Sequence, residues 1–143
     1  MASQSKLDEA YLQMCQVWSQ LSKAKRKKVG CLIVKNGVII SDGYNGTPKG
    51  FNNTCEVKLD KRRPSTLTTK PEVLHAESNA ITKLAKSTQS SSGSTMYITI
   101  PPCIECAKLI IQSEISRVVF KNHYKNKDGI KILKKAKIKV EKL

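Results

Sequence analysis

The sequence lacks long hydrophobic runs and is poor in aromatic residues. No apolar stretch approaches the roughly 20 residues that span a bilayer, and the N-terminal segment MASQSKLDEA has no apolar centre like that of a secretory signal. We therefore expect a cytoplasmic protein without a membrane partner. Aromatic residues form only 5% of the chain, which leaves few platforms on which the bases of a nucleic acid could stack.

Acidic residues and histidines are also scarce. The chain has 11 Asp and Glu against 26 Lys and Arg, for a formal net charge of +15, and only 2 His. This charge favours anionic partners such as nucleotides, nucleic acids or acidic surfaces, but it does not choose among them. The 5 Cys are an odd set with one recognisable spacing, so we expect no disulfide framework and thiols that are free to bind metal.

The first third of the chain predicts a helix followed by a β-hairpin. Apolar side chains recur every three or four positions over residues 7–21, as in an amphipathic helix. VGCLIVK and VIISDGY are typical strand sequences, and Asn36 and Gly37 between them favour a tight turn of antiparallel strands. The predicted apolar stripe of the helix is Leu7, Tyr11, Met14, Trp18 and Leu21.

The rest of the chain alternates helices and strands. Helices are predicted over residues 75–86, from CIECAKLIIQS and over residues 128–136, and strands at TMYITI, RVVF and IKVEK. Strands separated by one helix should be parallel neighbours, so residues 1–143 are predicted to form one three-layer α/β domain with a mixed five-stranded sheet. Residues 43–71 show no sustained period, and we expect GYNGTPKGFNN there to be ordered against a ligand.

The motifs HAE and PPCIEC carry residue types that bind metals. A C-x-x-C pair at a helix start lets the sulfurs of Cys103 and Cys106 converge on one ion as thiolates. His75 reaches the same point if its helix begins at the same edge of the sheet. Three protein ligands leave a fourth position open, as in catalytic zinc sites, and Glu77 is well placed to carry protons beside that position.

The two motifs together are more specific than either alone. A lone C-x-x-C also occurs in redox proteins, but PCIEC lacks the companion features of a thioredoxin-like protein. H-x-E followed by P-C-x-x-C is the pattern of the zinc nucleobase deaminases, and the chain resembles the cytidine deaminase superfamily. GYNGTPKG, HAESNAI and MYITIPPCIECAKLIIQ are most similar to the deoxycytidylate (dCMP) deaminases, particularly the viral and phage forms. The resemblance extends from about Val29 to Phe120.

The resemblance implies a zinc-dependent hydrolase with a cytidine-deaminase-like fold, located in the host cytoplasm if the chain is viral. His75, Cys103 and Cys106 would bind Zn²⁺, and a zinc-activated water would attack C4 of cytosine. Glu77 would deliver a proton to N3 and later to the departing amine. The reaction would convert dCMP to ammonia and dUMP, which supplies dTMP synthesis, and some viral relatives also accept dCTP.

The resemblance also implies groups that recognise the nucleoside. The N–H of Ala76 would hold the pyrimidine O2, and the carbonyl of Pro101 would lie near the exocyclic amine, a pairing that prefers cytosine over uracil. Asn45 would bind the sugar hydroxyl, although a left-handed turn residue beside Gly46 is another interpretation of its position. Tyr124 would stack on the base or the sugar.

The substrate's phosphate requires cations or helix N-termini, and Ser22, Lys23 and Arg26 precede the first strand at the expected edge of the pocket. Arg26 is the first choice because a planar guanidinium matches phosphate oxygens. The basic run 23–28 is equally well explained as a solvated connector.

The family's regulation provides a further expectation. Its members are typically homohexamers that dCTP activates and dTTP inhibits with Mg²⁺, and a GYNG motif lies near a subunit interface. Residues 55–74 form an extended insertion peculiar to this chain. The residues that match the allosteric motif are Gly43, Tyr44, Asn45 and Gly46.

Several positions depart from the family's usual pattern. Ser78 stands where Leu is often found, Glu114 where Gly is common, and Pro101 where a small or polar residue frequently lies. None of these is a candidate metal ligand. Some relatives carry a second, structural zinc, but we expect His123 at the surface and no such site here, with Cys55 as a remnant at most.

Two other functions would use the same residues. A tRNA adenosine or polynucleotide cytidine deaminase shares the zinc ligands and suits a charge of +15, but GYNGTP and the scarcity of aromatics argue against nucleic acid as a partner. A non-enzymatic nucleic-acid-binding module would need Cys31 or Cys55 to close a structural zinc site. Replacing Glu77 would leave such a module folded and active in binding.

Overall fold

The computed structural model describes residues 1–143, apart from the side chain of Pro64. The helices are α1 (Gln4–Ser19), α2 (Ala76–Ala85), α3 (Ile104–Gln112) and α4 (Asp128–Lys135). The strands are β1 (Gly30–Lys35), β2 (Val38–Tyr44), β3 (Glu56–Lys58), β4 (Leu67–Thr69), β5 (Thr95–Ile98), β6 (Arg117–Phe120) and β7 (Lys139–Lys142). Within this described chain, no helix combines the length and the apolar character that crossing a membrane requires.

Strands β2, β1, β5, β6 and β7 form, in that order, the mixed five-stranded sheet that the sequence predicts. β1 is antiparallel to both β2 and β5, whereas β5, β6 and β7 are parallel. The expectation that strands separated by one helix are neighbours is wrong for β2 and β5, because β1 lies between them. β1 is buried along nearly its whole length, as suits a central strand, while β2 begins with exposed residues and forms an edge.

The hairpin of β1 and β2 follows the predicted turn. Asn36 and Gly37 have φ values of 51° and 75°, and two positive values are typical of the type I′ turn that favours tight hairpins. The far end of β2 lies against the start of α2, where the backbone of Gly43 closely approaches Ala76. The hairpin thus brings the residues that follow β2 to the edge of the sheet where α2 begins.

Helices cover both faces of the sheet, which confirms the predicted three-layer α/β fold. α1 packs on one face, and α2 and α3 pack on the other. The α1 face buries Leu12, Cys15, Leu32, Val34, Tyr97 and Val119. The opposite face holds the larger core, which includes Ile33, Ala80, Leu84, Met96, Ile110 and Val118.

The side of α1 that faces the sheet is offset by one position from the predicted stripe, of which Tyr11 still packs against the core. Met14 and Leu21 are 42% and 48% exposed, whereas Asp8 and Leu12 are buried. Asp8 can be buried because its carboxylate accepts hydrogen bonds of 3.0 and 2.6 Å from the guanidinium of Arg117 in β6. Because Asp8 is acidic, apolar periodicity did not identify the side of α1 that is buried.

Residues 43–71 contain two short strands that were not predicted. β3 and β4 pair antiparallel, with Glu56 opposite Thr69. Both strands are short and carry charged or polar side chains, so no hydrophobic period could reveal them. Gly46 and Leu74 exchange backbone hydrogen bonds of 3.1 and 2.8 Å, which fix the loop after β2 beside the residue that precedes α2.

Candidate active site

The two metal-binding motifs meet at neighbouring helix starts. His75 occupies the N-cap position of α2, and Cys103 occupies that of α3. The Sγ of Cys103 accepts the N–H of Cys106 at 3.5 Å, so this side chain caps α3 and is oriented by it. Both helices begin at the same edge of the sheet because β2 and β5, the strands before them, point in the same direction.

The three candidate ligands form a compact cluster. Nδ1 of His75 lies 3.4 Å from Sγ of Cys103 and 3.3 Å from Sγ of Cys106, and all three ligand atoms lie within 4.8 Å of one another. The usual Zn–S and Zn–N bond lengths place the two atoms about 3.5 Å apart in a tetrahedral site. Donor types and spacing therefore fit zinc, and Cys31 and Cys55 lie outside the cluster.

Contacts within the cluster shift the ionisation of its members. Hydrogen bonds with Cys106 and His75 lower the pKa of the Cys103 thiol. The hydrogen bond with Cys103 raises the pKa of the Cys106 thiol, with burial as a further cause, and also raises the pKa of His75. One sulfur thus carries a negative charge that its two neighbours stabilise, and a thiolate is the form that binds a metal.

Glu77 is an acid buried beside this cluster. It is the second residue of α2 and is only 4% exposed. Burial raises the pKa of its carboxyl to about 7. A carboxyl with this pKa gains and loses a proton near neutral pH, as a general acid–base catalyst must.

A cavity of about 510 Å³ opens over the cluster and Glu77. Its volume is within the range of small-molecule sites. The walls come from the basic run after α1, from the strands β3 and β4, and from the starts of α2 and α3. The lining residues are Ala24, Arg26, Lys27, Val29, Asn45, Cys55, Glu56, Thr69, Val73, His75, Ala76, Glu77, Ile100, Pro101, Cys103 and Tyr124.

Three of the predicted nucleoside contacts surround this cavity. Ala76 is the first residue of α2, so its N–H has no partner within the helix and is available to a ligand. Pro101 lies on the cavity wall two residues before Cys103. The ring of Tyr124 lies at the cavity as well, with Nζ of Lys27 4.2 Å from its centroid, a cation–π contact.

The side chain of Asn45 lines the cavity and also holds the backbone around it. Its Oδ1 accepts the N–H of Val29 at 2.9 Å, and its Nδ2 donates to the carbonyl of Lys27 at 2.7 Å. An amide keeps a second donor hydrogen and a second lone pair, which remain available to a sugar hydroxyl. The left-handed interpretation of Asn45 is wrong: in the described chain the non-glycine residues with positive φ are Asn36, Glu114 and Lys137.

Of the three predicted phosphate contacts, only Arg26 lines the cavity. Ser22 is buried outside the cavity, where its hydroxyl donates to the carbonyl of Asn45 at 2.8 Å and accepts the N–H of Ala24 at 3.2 Å. Lys23 is exposed and does not line the cavity either. Arg26 does line it, and its Nη1 donates to Oγ1 of Thr69 at 3.3 Å.

The cavity also contains residues that the sequence analysis missed. Lys27 belongs to the basic run, but nothing in the run distinguished it from its neighbours. Glu56 and Thr69 come from residues 55–74, whose short strands left no periodic signal. Only the pairing of β3 with β4 brings these two residues together at the cavity wall.

The GYNG residues line a separate cavity of about 300 Å³. Gly43, Tyr44 and Gly46 contribute to it, whereas Asn45 faces the larger cavity. Gly43 also has a structural reason to be glycine, because a Cβ there would collide with the carbonyl oxygen of Ala76. The other lining residues are Thr47, Lys49, Asn79, Thr82, Lys83 and Lys86, which make this cavity basic.

Comparison with known proteins reveals similarity along most of the chain. The family model described as "Cytidine and deoxycytidylate deaminase zinc-binding region" matches residues 5–122. The deoxycytidylate deaminase of Enterobacteria phage T4 is 38% identical over 153 aligned positions, which cover 82% of this chain and 79% of that protein. The deoxycytidylate deaminase of Homo sapiens is 37% identical over 120 positions, which cover 78% of this chain and 62% of that protein.

A solved structure is similar over almost the entire chain. The crystal structure of the dCMP deaminase from the cyanophage S-TIM5, in complex with dCMP and dUMP, matches with a TM-score of 0.90 at 41% identity. The match covers 99% of this chain and 100% of that chain. It therefore includes α4 and β7, which lie beyond the region that the family model matches.

Proposed function

Since this chain belongs to the cytidine and deoxycytidylate deaminase family, we propose that it hydrolyses dCMP to dUMP and ammonia and so supplies dUMP for dTMP synthesis. The observation that carries this proposal is the likeness to the S-TIM5 enzyme, whose structure contains dCMP and dUMP. The cavity of about 510 Å³ over Glu77 supports it, because a nucleotide fits such a volume.

Proton transfer is the task of Glu77. His75, Cys103 and Cys106 would hold a zinc ion, which when bound would supply a Lewis acid that activates water near neutral pH. Glu77 would accept the first proton of the attacking water and pass it to N3 of cytosine, then take the second proton from the hydroxyl formed at C4 and deliver it to the amine that leaves as ammonia. Its buried position keeps bulk water away from these transfers, and its pKa of about 7 suits both directions.

Backbone groups select cytosine over uracil. The free N–H of Ala76 donates to the pyrimidine O2, and the carbonyl of Pro101 accepts from the exocyclic amine. Uracil offers no such amine, so it would leave the Pro101 carbonyl unpaired, and a mismatch of that kind is costly in a closed site. Asn45 binds the sugar hydroxyl through its remaining donor, and Tyr124 stacks on the base or the sugar.

Arg26 binds the 5′-phosphate, and Lys27 adds a second positive charge at the same wall. Guanidinium groups pair with two phosphate oxygens at once, so Arg26 contributes geometry as well as charge. The chain's excess of basic residues suits a polyanionic nucleotide, and on this ground we include dCTP as a second substrate.

Regulation is assigned to the smaller, basic cavity. Gly43, Tyr44 and Gly46 line it together with lysines, a setting that suits the triphosphates dCTP, as activator, and dTTP, as inhibitor, each with Mg²⁺. The chain would act as a homohexamer, with this cavity near a subunit interface. Asn45 links the two cavities, because its side chain lies at the larger one while its neighbours line the smaller.

The test is ammonia release from dCMP, dCTP, deoxycytidine and a cytosine-containing oligonucleotide, with zinc-loaded protein and a Glu77→Gln control. We expect activity on dCMP that falls by about two to four orders of magnitude in the variant, the range typical of a lost general acid–base. Both proteins should contain the same amount of zinc. The dCTP reaction, with and without added dTTP and Mg²⁺, then tests the substrate range and the regulation of the enzyme.

Other outcomes would favour the alternative functions. Turnover of the oligonucleotide without turnover of any free nucleotide would replace the proposal with a polynucleotide or tRNA deaminase. Oligonucleotide binding that is unchanged by Glu77→Gln, without any turnover, would indicate a zinc-stabilised binding module.

A further inference from the structure

The two short strands β3 and β4 contact the basic run at one point. A single oxygen of Glu56, Oε2, accepts the backbone N–H groups of both Lys25 and Arg26 at 2.7 Å each. The side chain of Arg26 is held separately, since its Nη1 donates to Oγ1 of Thr69 at 3.3 Å. Glu56 and Thr69 are opposite each other in the strand pair. This residue pair, which we call the rung, holds Arg26 both by its backbone and by its guanidinium.

The contact is buried at the Glu56 end and lies on the wall of the active-site cavity. Glu56 is only 7% exposed, and Cys55, Glu56 and Thr69 all line the cavity together with Arg26. The strand pair is closed by the N–H of Lys70, which donates to the carbonyl of Cys55 at 2.8 Å. The rung is therefore part of the cavity wall and not a remote surface feature.

We propose that Glu56 and Thr69 are positioning residues that orient Arg26 toward the substrate's 5′-phosphate, so that the β3–β4 strand pair sets the preference for a nucleoside monophosphate over the nucleoside. This inference rests on the proposed function. Consecutive basic residues repel one another, and the run that contains Arg26 has no helical or strand hydrogen bonds to fix it. A charge-assisted bond to two adjacent N–H groups fixes the backbone where this ordering is needed.

The chemistry of the rung predicts which substitutions matter. Gln at position 56 keeps a carbonyl oxygen that can accept both N–H groups, whereas Ala leaves both donors without an acceptor. Val at position 69 keeps the shape of Thr and removes the hydroxyl that contacts the guanidinium. Thr68 and Glu72 provide matched controls, because Thr68 neighbours the rung and Glu72 is an exposed acid close to the site.

The experiment measures kcat and KM for dCMP and for deoxycytidine, which lacks the phosphate, in the zinc-loaded proteins. For Glu56→Ala we expect KM for dCMP to rise about tenfold, the loss of roughly one charged hydrogen bond, with kcat within about twofold. Glu56→Gln should restore most of the affinity, and Thr69→Val should raise KM about threefold. Deoxycytidine kinetics should not change, nor should those of Thr68→Val and Glu72→Ala with either substrate.

The same substitutions made in Arg26→Ala protein show whether the rung acts through Arg26. In Arg26→Ala protein, adding Glu56→Ala or Thr69→Val should change KM for dCMP by less than about twofold, since the group they position is gone. Full additivity, an equal loss with deoxycytidine, or unchanged KM in Glu56→Ala would each overturn the inference. If Glu56→Ala does not fold, Thr69→Val against Thr68→Val decides the matter. Wild-type protein that fails to deaminate dCMP would instead overturn the proposed function itself.

Discussion

The cysteines of this chain have surroundings of two kinds. Cys15 is buried in the α1 face of the core, its Sγ donates to the carbonyl of Tyr97 at 3.3 Å, and burial raises its pKa to about 12. Cys106 instead lies 3.3 Å from Nδ1 of His75 at the active-site cluster. The first environment favours a neutral thiol, whereas the second gathers several ligand atoms around one point.

This difference predicts opposite results for two identical substitutions. Cys106→Ser should lose its zinc, because a serine hydroxyl is a much weaker ligand than a thiolate, whereas Cys15→Ser should retain it. The measurement is zinc per chain by atomic emission, together with the melting temperature before and after chelator treatment. The chelator should lower the melting temperature of wild type and Cys15→Ser and leave that of Cys106→Ser unchanged, since bound metal stabilises only the folded state. Full zinc occupancy in Cys106→Ser would contradict the assignment.

The residues of the site differ in how far the sequence could predict them. The zinc ligand candidates and Glu77 lie in two short motifs, each at the start of a helix, so local spacing is enough to find them. Ser22 was expected at the phosphate but is turned inward to bond Asn45. Glu56 and Thr69 could not be found in this way, because only the pairing of two short, polar strands places them at the cavity.

Among the elements, α4 supports the zinc cluster through a glycine. Gly129 lies in the first turn of α4, and a Cβ there would collide with the carbonyl oxygen of Pro102 and press on the backbone of Cys103. The close approach of α4 therefore fixes the loop that carries one of the candidate zinc ligands. An element far from both motifs in sequence thus contributes to the geometry of the site.

Gly129→Ala is expected to destabilise the protein, although the same change in an exposed helix stabilises by about 1 kcal/mol. Overpacking against a fixed backbone should lower the free energy of unfolding by about 1–3 kcal/mol and weaken zinc binding about tenfold by displacing Cys103. Urea unfolding and competition with a zinc-binding dye measure the two effects. Lys131→Ala, at an exposed position of the same helix, is the control, and a Gly129→Ala protein at least as stable as that control would refute the packing argument.

The elements themselves were predictable to different degrees. α2, α3 and the β1–β2 hairpin follow strong local signals, namely apolar periodicity, Pro-Pro before a helix and Asn-Gly in a turn. The buried side of α1 was not predictable in the same way, because Asp8 lies on it and is compensated by Arg117, which is far away in sequence. β3 and β4 are too short and too polar for any periodic signal.

At the scale of the whole molecule, an ionic network joins the first helix to the last strand. The Nη2 of Arg117 lies 2.6 Å from Oδ2 of Asp8 in α1 and 2.7 Å from Oε2 of Glu141 in β7. The hydroxyl of Tyr97 in β5 donates to Oδ1 of Asp8 at 2.5 Å. The hydrogen bond with Arg117 is the largest cause that lowers the pKa of Asp8, from 3.8 to about 2, and it also lowers that of Glu141.

These shifts predict how stability depends on pH. The folded-state pKa of Asp8 is below its unfolded value, so its contribution is fully present above about pH 4 and disappears as the pH falls toward 2. The shift corresponds to about 2 kcal/mol. Asp8→Asn should therefore be less stable than wild type at pH 7, and the difference should shrink between pH 4 and pH 2 in urea unfolding. Glu9→Gln, an exposed neighbour, should follow the wild-type curve; a constant gap for Asp8→Asn would contradict the pKa assignment.

The chain's large positive charge predicts a dependence on salt. Arg26 and Lys27 line the cavity and are exposed, so their attraction for a phosphate is screened by ions. The KM for dCMP should rise about threefold or more between roughly 50 and 500 mM salt, whereas the KM for deoxycytidine should change little. Steady-state kinetics at several sodium chloride concentrations measure this, and equal salt effects on both substrates would contradict the role of charge.

The overall architecture was more predictable than the arrangement of its strands. The alternation of helices and strands was enough to predict a three-layer α/β fold with a mixed sheet. The position of β1 between β2 and β5 depends on which strand can be buried on both faces, a question that chain order does not answer. The apolar run of residues 31–34 in β1 was the available signal, and it favours a central place for this strand.

The position of Arg117 also affects how the chain must fold as it is made. Asp8 and Arg117 are 109 residues apart, so α1 leaves the ribosome long before the strand against which it is anchored has been synthesised. Contacts between such distant residues form slowly, so the ionic anchor of α1 closes only after β6 has been made, even though the apolar side of the helix can pack on β1 earlier. In a nascent chain stalled before β6, α1 should therefore be more sensitive to protease than in the finished protein. This helix is thus made early and anchored late.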